Sequence, residues 1–381
     1  MMKYLKKLRS GVGSFVAATC LAVALGGVAP AQAQQDYGKP GEPVHLVVGY
    51  QPYWTMGFAP AVLRGKELWK KHLPAGSTVE FQIGLQGAII VNAMLAGKQH
   101  IGYLGDMPSI VSTTKESVGD IRMVAVLGLA QDVCNILLVR KDAPQFNDTK
   151  EAIKWVGGKQ FATPRGACSD RFAQATFKKF QVEPAAYMNQ SIEVITSNFK
   201  AGKIDAAVVW EPTATKLQEE GIARRVASGA NVGEDDGGFV VMRADLIKQR
   251  PDVAKGWLNA ELDAQLFTLD PKNAREVARI TAQQITGFPE RTLWNAHFAV
   301  VPESVGGSAV KFTRPFAFTP EAMDLIGRAT TFLHGLKAIN VDKLRSDAIM
   351  PELAQQVLKE RGLTAPIGKV VALPTSAYES K

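Results

Sequence analysis

The chain has 381 residues, 46% hydrophobic and 21% charged, with 44 Lys and Arg against 36 Asp and Glu. These proportions exclude disordered, collagen-like and disulfide-framework proteins, and the length exceeds what one hydrophobic core usually serves, so two lobes are expected. The net charge of +8 falls to +4 without residues 1–33, and no Lys/Arg-rich stripe with interleaved aromatics is present, so nucleic acid is not an expected partner.

In chain order, the first element is a leader. Lys3, Lys6, Lys7 and Arg9 precede an apolar run from Phe15 to Val28, followed by Ala31-Gln32-Ala33. A basic start, a short apolar stretch and an A-x-A end predict a secretory signal peptide cleaved after Ala33. Cys20 lies inside that apolar stretch, where a lipid-bearing cysteine does not belong. The rest of the chain has no apolar run of the roughly 18–20 residues that span a bilayer, and it is read as a soluble periplasmic protein. It keeps Cys134 and Cys168, for which an oxidising compartment predicts a disulfide, the alternative being two buried thiols.

After a polar start over Gln34–Pro43, short β-branched runs alternate with amphipathic stretches. Strands are expected at Val44–Tyr50, Val79–Ile83, Ile101–Leu104, Met123–Leu127, Asn135–Arg140, Phe161–Thr163, Ala206–Trp210 and Gly237–Arg243. Helices are expected at Ala59–His72, Gly87–Ala96, Ser169–Phe180 and Ile192–Ala201. The alternation predicts an α/β fold. Beyond Arg243 only helices are expected, at Pro251–Leu269, Pro271–Thr286 and Pro320–Leu336, giving a C-terminal helical tail.

One internal similarity stands out. Ala96-Gly97-Lys98 leads through an apolar strand to Gly105-Asp106-Met107-Pro108, and Ala201-Gly202-Lys203 leads through another to Trp210-Glu211-Pro212. Each acid lies ten residues after its Ala, each set follows an amphipathic helix, and two related α/β lobes are implied. Ligands of open α/β sheets bind beyond the carboxyl ends of strands. That rule gathers Gln51-Pro52-Tyr53-Trp54, Gln86-Gly87, Gly105-Asp106-Met107, Thr163-Pro164-Arg165-Gly166-Ala167 and Trp210-Glu211 at one cleft. The mixture suits a small polar molecule.

These segments, taken in order, resemble the periplasmic substrate-binding proteins of ABC importers for nitrate, sulfonate and taurine, with their thiamine-precursor-binding relatives. The resemblance covers nearly the whole chain after the leader. It implies a type II-like, two-lobed binding-protein fold: residues 34–133 with 238–381 as lobe 1, residues 134–237 as lobe 2, and hinge crossings near Cys134 and Gly237-Gly238, where glycine tolerates unusual dihedrals. It implies a small-molecule ligand, an ABC permease in the inner membrane as partner and a monomer. Hydroxyl-rich loops common in sulfonate and nitrate binders are replaced by Gln86-Gly87-Ala88 and Arg165-Gly166-Ala167-Cys168, so the ligand does not transfer.

Each candidate residue keeps a plainer alternative. Asp106 and Glu211 contact a cationic group of the ligand or merely cap the helices that begin at their prolines. Arg165 pairs with an acidic group or is a solvated loop charge; Arg171, inside a helical turn, is the weaker candidate. Acids plus one arginine suggest a zwitterion. Tyr53 and Trp54 line the pocket or pack in the core, and Trp210 faces them or packs at the rim. Glu234-Asp235-Asp236 reads as a solvated turn rather than a calcium site.

Metal-ligand spacing, H-E-x-x-H, G-x-S-x-G and nucleotide-binding glycine motifs are absent, so neither cofactor nor metal is expected and the chain is read as a non-enzyme. The competing readings are an enzyme on the same fold, like the pyrimidine-precursor synthases of that family, and a ligand-sensing accessory of a membrane receptor.

Overall fold

The fold is given by a computed structural model that describes residues 35–379, so the expected signal peptide lies outside the described residues. The strands are β1 (His45–Tyr50), β2 (Thr78–Ile83), β3 (Ile101–Gly105), β4 (Ile121–Ala130), β5 (Ile136–Arg140), β6 (Gln160–Thr163), β7 (Ala186–Asn189), β8 (Ala206–Val209), β9 (Ala223–Ser228), β10 (Asp236–Arg243), β11 (Val310–Arg314) and β12 (Gly368–Val371). They form two sheets. The larger has the order β12-β11-β4-β10-β3-β1-β2 and the smaller β7-β6-β8-β5-β9. Among the described residues no helix is long and apolar enough to cross a membrane.

The two sheets repeat one topology. β3 lies between parallel β1 and antiparallel β10, and β8 lies between parallel β6 and antiparallel β5. Outside them β2 and β7 extend the parallel side, while β4 and β9 extend the antiparallel side. The sequence similarity sits at the same place in both. The helices Gly87–Leu95 and Ile192–Lys200 each end on a left-handed glycine, Gly97 (φ 71°) or Gly202 (φ 66°). The lysine after each glycine donates its N–H back to the fifth residue before it, Lys98 to Ala93 and Lys203 to Asn198. This closure satisfies helix-end carbonyls and turns the chain directly into β3 or β8.

Most expected elements are present within a residue or two, with instructive exceptions. The helix expected over Ala59–His72 stops at Gly65; Glu67 is left-handed (φ 49°) and a short 3₁₀ turn, Leu68–Lys71, follows. The helix expected from Pro271 begins with a 3₁₀ turn and continues only over Ala274–Ala282. β7 and β9 are additional strands. The C-terminal region is not helical alone, because β11 and β12 add two strands to the large sheet beside β4. Lys311 and Arg314 interrupt the apolar pattern of β11, yet both are fully buried.

Gly237 and Gly238 also depart from expectation. Neither has a positive φ; both lie in β10. A Cβ on Gly238 would stand 2.6 Å from the Trp54 ring, and one on Gly237 would stand 2.7 Å from Leu325. Glycine is needed there for close approach rather than for unusual dihedrals.

The core of the large-sheet lobe encloses a polar chain. Trp257 Nε1 donates to the Tyr103 hydroxyl (3.0 Å), which donates to Glu261 (2.8 Å), and Gln265 Nε2 donates to the other Glu261 oxygen (3.0 Å). Burial raises the Glu261 carboxyl to about 7, against the opposing pull of these donors and of Arg314. A carboxyl with a raised folded pKa stabilises the native state fully below its unfolded pKa, near 4.5, and loses that contribution as pH rises through 7. Wild-type unfolding free energy, measured in urea, should therefore fall between pH 4.5 and 8 by about 3 kcal/mol more than that of Glu261→Gln. Equal pH slopes for the two proteins would contradict this.

Candidate functional site

Beyond the carboxyl ends of β1, β2, β3, β6 and β8 lies a cavity of about 240 Å³. Each strand delivers its next residues to the wall: Gln51 and Trp54 after β1, Gln86 and Gly87 after β2, Gly105 closing β3, the segment Pro164-Arg165-Gly166-Ala167 after β6, and Trp210 after β8. Cys134, on the chain between β4 and β5, and Cys168 complete this part of the wall. They form the expected disulfide, with Cα atoms 6.0 Å apart.

Three helices start at this wall: Gly87–Leu95 after Gln86, Asp106–Thr113 after Gly105, and Cys168–Phe180 after Ala167. The first N–H groups of a helix have no intrahelical acceptors, and the helix dipole places positive potential there. None of the residues preceding these helices caps them with its side chain. A Cβ on Gly87 would stand 2.5 Å from the Pro108 ring, so glycine allows the first two helix starts to lie side by side. The Trp54 indole N–H and the Ser169 hydroxyl are buried without a partner.

Of the residues expected at the cleft, Gln51, Trp54, Gln86, Gly87, Gly105, Pro164, Arg165, Gly166, Ala167 and Trp210 line the cavity. Arg165 is exposed; its guanidinium lies 5.3 Å from the Tyr187 ring centre, and its backbone N–H donates to Asn189 (3.0 Å). Trp210 is nine-tenths buried and donates its indole N–H to the Tyr53 carbonyl (3.2 Å). Tyr53 stands outside the wall, its hydroxyl accepting the Thr286 N–H (3.1 Å) and its ring edge-on to Phe288. Met107 is fully buried in the core.

Asp106 and Glu211 are also off the wall. Asp106 accepts from Arg171 Nη2 at 2.9 Å, with both side chains buried, and from the Met107 N–H at 2.7 Å. Arg171 pairs in addition with Glu234 at 3.0 Å. Glu211 accepts the Thr215 N–H (2.9 Å) and lies 3.4 Å from Arg225, which reaches Asp132 at 3.5 Å; Lys311 donates to the same Asp132 oxygen at 2.9 Å. Burial raises the Glu211 carboxyl, while Arg225 and Lys311 pull it down. The two repeat acids thus hold structural arginines, and the sequence case for a zwitterion loses its two anionic contacts. The acidic run is not a solvated turn either. Glu234 and Asp235 face Arg328, and Asp236 is fully buried, accepting the Cys134 N–H at 3.0 Å. Among the described residues no cluster is arranged to hold a metal.

Sequence reading did not place Val91, Asn92, Pro108 and Val111 at the cavity, which they line beside Ala88; Val91 is buried, Pro108 and Val111 are half-buried, and Asn92 and Ala88 are exposed. Helical spacing is the signal that finds them: Val91 is one turn beyond Gly87, and Val111 one turn beyond Pro108. Arg165 is the one ionised side chain on the wall.

Asp106 and Arg171 come from helices on different sheets, so their pair spans the cleft. Arg171→Ala should cost about 3–5 kcal/mol in urea unfolding, because it leaves a buried aspartate unpaired. Replacing both, as Arg171→Met with Asp106→Leu, should recover most of that loss. An Arg171→Ala protein as stable as wild type would contradict this.

Residues 39–282 match the NMT1-like family. The taurine-binding periplasmic protein of Escherichia coli strain K12 is 25% identical over 261 residues, covering 65% of this chain and 74% of the relative. Among solved structures, the alkanesulfonate-binding protein SsuA of Xanthomonas axonopodis pv. citri, bound to MOPS, superposes with a TM-score of 0.64 at 15% identity, covering 82% of this chain and 99% of the other. The desulfurization enzyme DszB shares the fold at a TM-score of 0.58 and 13% identity, over 83% of this chain and 99% of the other. With two repeated sheets, a cavity at their strand ends and a match over more than half its length, the chain belongs to the NMT1-like family.

Proposed function

We propose that the chain is a solute-binding protein of an ABC importer, exported by a signal peptide cleaved after Ala33 and working as a monomer in the periplasm. It captures a small anionic solute in the cavity between its two lobes, residues 34–133 with 238–381 and residues 134–237, and presents it to a permease in the inner membrane. The observation that carries this reading is the meeting of three helix starts and Arg165 at a wall without a carboxylate. The similarity to a taurine-binding protein supports the same class of function.

Contacts across the cleft support a closing mechanism. Trp210 donates to the Tyr53 carbonyl, the Thr55 N–H donates to the Glu211 carbonyl (3.1 Å), and Arg171 reaches Asp106. A ligand touching both sides favours the closed arrangement by its differential affinity for it. Binding rather than catalysis fits the wall, whose two sulfurs are joined in a disulfide and which has no histidine to activate a nucleophile.

A thermal-shift panel of nitrate, sulfonates and carboxylates should raise the melting temperature with at least one anion, since ligand binding to the native state alone stabilises it. For that anion, Arg165→Gln should weaken calorimetric affinity about tenfold through loss of a charge-assisted contact. Unchanged affinity would remove Arg165 from the site, and a panel that responds only to cations would reject the anion reading.

A further inference from the structure

Resting on the solute-binding reading of this cavity, we infer that the ligand is an organic anion with no cationic group and an apolar body about the size of one aromatic ring. Beyond the helix starts, the cavity is lined from Gly87–Leu95 and Asp106–Thr113 by buried Val91, half-buried Pro108 and Val111 and exposed Ala88, with exposed Asn92 as the polar exception. Trp54 and Trp210 supply the remaining broad apolar surface. Inorganic anions have nothing to place against such a wall, and each methylene seated in an apolar pocket improves discrimination about tenfold or more.

Charge excludes a second class. An ammonium group needs a carboxylate or several carbonyl acceptors when it leaves water. The acids nearest the cleft are buried and committed elsewhere: Asp106 to Arg171 at 2.9 Å, Glu211 to Arg225 at 3.4 Å and the Thr215 N–H at 2.9 Å, and Asp170 to the Tyr187 hydroxyl at 2.6 Å, Gln174 at 2.9 Å and the Gly166 N–H at 3.0 Å. An amine-bearing sulfonate such as taurine would bring a cation against Arg165 at a wall that holds no carboxylate. Size narrows the class further. A dry cavity of about 150 Å³ accepts benzene, so about 240 Å³ leaves room for a ring and one acidic group. The buried, unpartnered indole N–H of Trp54 is a further donor at this wall.

The test is calorimetric titration of the purified protein, freed of carried-over ligand by unfolding in guanidinium and refolding, with benzenesulfonate, benzoate, taurine and nitrate. At least one aromatic anion should bind about tenfold or more tighter than taurine and nitrate. Taurine or nitrate binding as tightly as both aromatic anions would overturn the inference while leaving the solute-binding reading intact. Binding of none of the four would reject both. Val111→Asn, at a half-buried position, should weaken the better aromatic anion at least about fivefold without lowering the melting temperature of the unliganded protein by more than a few degrees. Undiminished affinity in a folded Val111→Asn protein would place the ring elsewhere and overturn the assignment.

Discussion

The ion pair between Asp106 and Arg171 is the constraint on which the cleft depends. Burying two charges is costly, and the cost is met here by short, shared geometry: Arg171 donates to Asp106, to Glu234 and to the Asp235 carbonyl. The pair comes from two helices whose N-termini both border the cavity. Its length therefore sets how closely those ends approach. The second repeat acid has the corresponding duty, since Glu211 holds Arg225, which extends through Asp132 to Lys311 on β11. Each sheet thus contributes one acid from the same topological position, and each acid leads into a network reaching the other sheet. Neutralised this way, both carboxylates leave the cavity free of negative charge.

The duplicated topology explains why the cavity has the chemistry it has. Parallel strands followed by helices put strand carboxyl ends and helix N-termini on the same edge of a sheet. Two such sheets facing one another concentrate backbone N–H groups at their junction without using a lysine. Side chains one turn into two of these helices, Val91 and Val111, complete the wall. Such an arrangement lets one fold hold both binding proteins and an enzyme such as DszB.

Much of this was legible in the sequence because it rests on local signals. Hydrophobic alternation, Ala-Gly-Lys helix ends and proline at first turns located most strands and helices, and the strand-end rule located Trp54, Gln86, Arg165 and Trp210 at the cavity. What was not legible depends on distant partners. Nothing local tells that Asp106 meets an arginine 65 residues later, so a ligand role and a structural role looked alike. β11 was hidden because Lys311 and Arg314 make it polar, although Lys311 is buried against Asp132 and Arg314 is buried donating to the Leu127 carbonyl. Val91 and Val111 look like ordinary core residues until the helix faces bearing them are known to border a cavity.

Gly238 and Trp54 have a consequence for how such a site changes over time. The ring at position 54, with the Met56 sulfur and the Leu127 Cβ 3.1 and 3.3 Å from the same point, occupies the space that any side chain at 238 would need. A lineage exchanging the tryptophan for a smaller residue removes the tightest of the three contacts at 238, whereas one that first acquires a side chain at 238 displaces the ring and with it part of the wall. The order of substitution is therefore directional. Diversification of this part of the wall is expected to begin at position 54, with position 238 following.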